Sequence, residues 1–111
     1  MTDSILETTK KLLGIDASYE HFDTDILIQI NSALMIARQV GVKIPAGFTV
    51  TGNFETWSDI PQIEDIQGLK NYIYLRTKLA FDPPVNSFVV EAIKDQIKEY
   101  EWRIKVEIDD T

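Results

Sequence analysis

The sequence predicts an all-α fold: a four-helix bundle-like single domain with a long loop between the second and third helices. Three observations lead there. Apolar residues recur at three- and four-residue spacing in four separate segments, the period of a helix with one face in a core. Each segment is bounded by capping residues, glycine or proline. The 111 residues are 44% hydrophobic and 26% charged, the composition of one ordinary globular domain. At this size folding removes about two-thirds of the chain's surface from water, so a core can form without metal or disulfide.

The first helix, about residues 4–13, follows Ser4, which forms a Ser-x-x-Glu capping box with Glu7. Ile5, Leu6, Leu12 and Leu13 give it an apolar side, and Gly14 suits the left-handed position past its end. A polar connection from Ile15 to His21 leads to the second helix, about 24–40. Asp23 or Thr24 starts it, and Asp23 and Asp25 favour the positive end of the helix dipole. Ile26, Ile30, Ala33, Ala37 and Val40 keep one line, widened by Leu27, Leu34 and Met35. So wide a stripe implies a central helix with several neighbours. Gly41 ends it.

Residues 42–59 break the helical pattern, with Pro45, Gly47 and Gly52 as punctuation. Phe48 and Val50 alternate with polar neighbours, and Thr51-Gly52-Asn53 is compatible with a small β-hairpin whose return arm carries Phe54 and Trp57. A structureless loop of this length would be unusual without a function. Asp59, with Pro61 and Gln62 behind it, reads as the start of a third helix, about 61–81. Ile63, Ile66, Leu69, Ile73 and Ala80 keep its line, beside Tyr72, Leu75 and Leu79. Gly68 costs about 1 kcal/mol in a helix interior, so the firm part is Leu69 to Phe81. Pro83 and Pro84 stop it. Asn86 or Ser87 caps a fourth helix, about 87–106, buried along Val89, Ile93, Ile97, Tyr100 and Ile104. Glu99 with Arg103, and Glu101 with Lys105, are i, i+4 pairs on its outer side. Residues 107–111 read as a frayed acidic tail.

Eighteen acidic against eleven basic residues give a net charge of −7. A protein that grips duplex DNA draws most of its non-specific affinity from a basic face, and an anionic membrane leaflet attracts basic segments too. The chain has no cysteine, which removes thiol catalysis, disulfides and thiolate metal sites. No apolar run is long enough to span a membrane. Thr2, Asp3 and Ser4 lack the cationic start of a signal peptide. These features together lead to the expectation of a soluble protein made inside the cell.

Few constellations suggest chemistry. His21 lies among Asp16, Glu20, Asp23 and Asp25, a set that suits several divalent ions. The spacing is not that of an EF-hand loop, and a polar turn followed by acids at a helix start accounts for the same residues. The carboxylates Glu91, Asp95, Glu99, Glu101, Glu107, Asp109 and Asp110 interleave with Lys94, Lys98, Arg103 and Lys105, the pattern of a solvated helix face. Acid–base catalysis instead needs a carboxyl held in a dry pocket. There is no nucleophile elbow and no phosphate-binding glycine pattern. No enzymatic activity and no cofactor are expected, and no catalytic or metal residue is assigned.

What the sequence offers is contact residues. Lys70, Arg76 and Lys78 form a weak basic patch. Tyr72 and Tyr74 cannot face the same way on a helix, so one belongs to the core and the other to a surface. Trp102 lies off the fourth helix's buried line and either widens the core stripe or meets a partner. The same choice faces Phe48, Val50, Phe54 and Trp57 in the loop. With Arg103 beside Trp102, these are the candidate partner or subunit interface.

The run Tyr72-Ile73-Tyr74-Leu75-Arg76-Thr77-Lys78-Leu79-Ala80-Phe81-Asp82-Pro83-Pro84, followed by Ser87 and by Glu101-Trp102-Arg103, resembles the small head–tail connector proteins of tailed bacteriophages and prophages. Leu12-Leu13-Gly14-Ile15, Phe22-Asp23, the helix closing at Val40-Gly41-Val42, and the loop ending Trp57-Ser58-Asp59 are similar to the same family. The resemblance covers most of the chain. It implies a mostly helical structural subunit that forms a ring homo-oligomer, on the portal if not alone. Such a ring joins the capsid portal protein to a tail-completion or stopper protein, around a channel that DNA passes without being specifically bound. It implies neither membrane nor cofactor. The location expected is the host bacterial cytoplasm during assembly, then the virion neck. The rival reading is a small helical adaptor or regulator that binds a single host or phage protein. A hydrolase or metal-dependent enzyme using the His21 carboxylate cluster is a third, ranked below both.

Overall fold

The computed structural model describes residues 4–60 and 65–109. Four helices follow in order: α1 (Ile5–Leu13), α2 (Asp23–Val40), α3 (Ile66–Phe81) and α4 (Ser87–Asp109), with a short 3₁₀ turn at Trp57–Asp59 before α3. Among the described residues there is no strand, and the fold is the all-α single domain the periodicity predicts. α2 and α3 form the central pair, with α1 against both and α4 lying mainly on α3. The core joins Ile5 and Leu6 of α1, Ile26, Ile30, Ala33, Leu34 and Ala37 of α2, Leu69, Tyr72, Ile73 and Leu75 of α3, and Ile93 and Ile97 of α4.

Local chemistry sets the helix ends. The Ser4 hydroxyl accepts from the Glu7 N–H at 3.2 Å, and Gly14 takes φ 82° at the other end of α1, where the Ile15 N–H reaches back to the Lys10 carbonyl. That left-handed backbone costs glycine least. α2 begins differently from expectation. Its cap position is Phe22, whose phenyl ring has no polar atom to cap with, and Asp23 is turned to Lys10. α3 is capped by Asp65, not Asp59: the Asp65 carboxylate accepts from the Gly68 N–H at 2.9 Å. Gly68 is therefore the third residue of α3, and a Cβ there would overlap that carboxylate. Residues 61–64, where the sequence reading begins the third helix, lie outside the described residues. The Asn86 carboxamide caps α4, accepting from the Phe88 N–H at 2.8 Å. Helix α4 continues through Asp109, past the position 106 at which fraying was expected.

The loop is the main correction. No hairpin turns at 51–53. The chain instead runs back to the start of α1, where Thr56 and Ser4 form an isolated antiparallel bridge and the Ile5 N–H donates to the Glu55 carbonyl at 3.1 Å. On α2, the Asn31 carboxamide holds both backbone groups of Val50, donating to its carbonyl at 2.9 Å and accepting from its N–H at 2.8 Å. An amide side chain thus does what a neighbouring strand would do. Val42, Ile44, Val50, Trp57 and Ile60 then enter the core.

Three helices are less buried than their periodicity suggests. Ala80 and Val89 are exposed, and so are Ile28 and Met35 on α2. The surface area is 7037 Å², against roughly 6,200 Å² for a compact monomer of this mass. Helix α4 contributes to the excess, since its only buried side chains among those described are Ile93 and Ile97.

Candidate subunit interface

The interface candidates separate into two groups. Val50 and Trp57 are 1% and 3% exposed and belong to the chain's own core. The Trp57 indole N–H donates to the Thr8 hydroxyl at 3.2 Å, and the Lys70 ammonium sits over its ring at 5.6 Å. Phe48 is half-buried against the same core. Loop residues lack a periodicity that would assign them inward or outward, so the sequence alone leaves both choices open. The other group faces water: Phe54 is 89% exposed and Trp102 63%. Arg103 is exposed too, its guanidinium 2.6 Å from Glu99.

Trp102 follows Ile93 by nine residues, about two and a half turns, so it projects from the side of α4 opposite the buried line. Its outward stripe continues through Asp95 and Glu91 to Phe88, which is 85% exposed. Phe88 and Trp102 thus lie about four turns, or roughly 21 Å, apart on one face. Sequence reasoning passed over Phe88 and the neighbouring exposed Val85, although two large apolar residues around a polar cap are an available signal. It also placed Met35 in the core stripe of α2, whereas Met35 and Ile28 share the outward side.

The three bases of the weak patch are each engaged. Lys70 covers Trp57, Lys78 pairs with Asp82 at 3.1 Å, and Arg76 is built into a cluster between α3 and α4. There the Arg76 guanidinium donates to Glu101 and to the Tyr72 hydroxyl, and that hydroxyl donates to Glu101, all at 2.7 Å. Tyr72 stacks on Tyr100 with centroids 4.8 Å apart. Glu101 accordingly faces Arg76 and makes no ion pair with Lys105, because a partly buried carboxylate gains more from two donors across the helix pair than from one exposed lysine. Tyr72 is the core tyrosine and Tyr74 is half-buried.

Burial, and then the hydrogen bond to Glu101, raise the Tyr72 hydroxyl's pKa well above its ordinary 10.0, so it remains a donor. Burial also pushes the Glu101 carboxyl upward, but the bonds from Arg76 and Tyr72 outweigh it and hold the value below the ordinary 4.5. A carboxylate lowered in this way stabilises the fold above its unfolded pKa. That contribution is lost as pH falls below 4.5 through the lower folded value. Glu101→Gln is expected to cost of order 1 kcal/mol near neutrality after solvent screening, and to lose less stability than the parent between about pH 6 and pH 3. Thermal melts across that range check it; equal acid sensitivity in both proteins would remove the role.

Near His21, Asp23 pairs with Lys10 at 2.8 Å and Asp16 accepts from Ser18. The His21 ring lies edge-on to Phe22, with centroids 4.9 Å apart. Among the described residues, no group of three or more His, Asp or Glu side chains is placed to hold a metal ion, and no helix is long and apolar enough to cross a membrane. Residues 5–111 match a protein-family model described as Phage connector protein. No curated protein and no solved structure matches significantly.

Proposed function

Because the chain belongs to the phage connector protein family, a structural family whose members associate with other virion components, we propose that it acts as a ring adaptor between the capsid portal and the tail. Copies pack side by side around the DNA channel, and a tail-completion or stopper protein closes the distal side. The observation that carries this reading is Trp102: a tryptophan held on a well-formed helix, facing away from a core that is complete without it. Such a side chain is the kind of anchor that dominates an assembly interface. The net charge of −7 suits a subunit that surrounds DNA without gripping it, since acids repel phosphates where bases would hold them.

The test is assembly with portal, followed by electron microscopy and by mass measurement. Rings seated on portal support the reading. A monomer indifferent to portal would instead favour the adaptor or regulator of a single protein. Trp102→Ala should reduce ring occupancy by about tenfold or more, with far-ultraviolet circular dichroism unchanged. Normal assembly by that variant would remove Trp102 from the interface.

A further inference from the structure

We propose that the outward stripe of α4 docks on the outward stripe of α2 in a second copy of this chain, with the two helices antiparallel. The inference rests on the ring reading and names its lateral contact. Both stripes are uncovered and carry apolar anchors: Phe88 and Trp102 on α4, Ile28 and Met35 on α2. Ile28 and Met35 are seven residues apart, two turns along one face. The partner is identified by charge. Helix α2 begins with the exposed Asp25 and ends near Arg38 and Lys43, and none of the three makes an ion pair among the described residues. On α4, Glu91 is paired with Lys94 at 3.7 Å and Glu99 with Arg103 at 2.6 Å, which leaves Asp95 in its first half and Lys98 and Lys105 in its second outside any ion pair among the described residues.

In the parallel register that sets Ser32 against Ala92, Lys98 falls opposite Arg38, base on base. Antiparallel pairing sets Asp95 of α4 near the basic end of α2, and Lys105 on Asp25. With Trp102 opposite Ile28, Lys105 falls opposite Asp25, Lys98 opposite Ser32, and Asp95 beside Met35 and Arg38, while Phe88 lies past the end of α2 at Val40. Charge and the Trp102 anchor therefore agree on one register. The contact joins two different surfaces, so each copy has one of each left to offer. Such a heterologous interface closes into a ring when its rotation permits.

The absence of cysteine makes the register directly testable. Ser32→Cys copies are mixed with Lys98→Cys copies carrying a distinguishing tag, then oxidised with and without portal. A disulfide requires Cα atoms within about 7 Å. The expected product is the mixed disulfide, at least tenfold above self-linked dimers of either variant. Ser32→Cys with Ala92→Cys, the pair that parallel packing would juxtapose, should stay unlinked. Circular dichroism verifies folding, and all three sites are at the surface or partly so. Rings of the unsubstituted protein on portal, with no Ser32–Lys98 link in the mixed variants, would overturn this interface and leave the ring reading standing. Self-linked dimers of one variant would overturn it in favour of a two-fold contact. A mixed disulfide without any portal-dependent assembly would uphold the contact while removing the portal reading. Neither link nor assembly would remove both.

Discussion

Trp57→Ala is expected to destabilise the monomer by about 3–5 kcal/mol, the usual cost of emptying a buried aromatic site. The indole is 3% exposed and belongs to the core that the loop shares with the helices. The substitution also removes the N–H that donates to the Thr8 hydroxyl and the ring over which the Lys70 ammonium lies. Urea denaturation measures the loss, and hydrogen exchange should show it concentrated in residues 42–60 and the first turn of α1. Trp57→Phe, which keeps most of the volume but not the indole N–H, should lose less. A partner-facing tryptophan would behave in the opposite way, with stability intact and assembly lost. Trp57 and Trp102 therefore make a matched pair: one truncation should unfold the subunit, the other should leave it folded and alone.

Lys10→Ala carries the second large effect, about 3 kcal/mol. Lys10 is a buried lysine whose ammonium donates to the carbonyls of Ala17 and Tyr19, at 3.1 and 2.6 Å, and pairs with Asp23 at 2.8 Å. Three oxygens from the 15–22 connection and the start of α2 thus converge on one cation. Removing it leaves the Asp23 carboxylate facing carbonyl oxygens with no counter-charge. It also leaves the connection without the tie that holds it to α1. Asp23→Ala should cost less, because the ammonium keeps both carbonyls and α2 begins without a side-chain cap in any case. Chemical denaturation of the two single variants and the double variant gives the coupling between them. A Lys10→Ala protein within about 0.5 kcal/mol of the parent would show that water replaces the ammonium at no cost.

The helices were legible in the sequence because their signals are local. Ser4 with Glu7, Gly14, Gly41, Asn86 and the Pro83-Pro84 pair each act within one turn of where they stand. The loop was not legible, for a physical reason. Its partners are Asn31, Thr8 and Ser4, between 19 and 52 positions away, and no period or turn motif encodes a side-chain amide that clamps a distant backbone. The side that Trp57 faces stays open in the sequence for the same reason. Asp59 misled in another way: its carboxylate accepts from the Thr56 N–H at 2.9 Å, so it closes a capping box on the 3₁₀ turn and does not start α3. At the interface, helical spacing correctly set Trp102 apart from the α4 core line. It could not assign Ile28 and Met35, since a wide apolar stripe reads the same whether neighbours cover all of it or leave one edge open.

The bridge from Ser4 to Thr56, with the bond from Trp57 to Thr8 beside it, bears on the order in which the chain acquires its structure. Nine residues are too few to hold a helix in water, and α1 docks on α2, on α3 and on a loop some fifty residues later. As the chain emerges from the ribosome, the surface on which α1 docks is therefore incomplete until the loop and α3 have been synthesised. The docking of α1 closes a long loop, and the entropy of that closure is recovered only when both sides are present. The first helix in sequence is in this sense among the last parts that can be finished, and the subunit cannot offer finished surfaces to its neighbours before then.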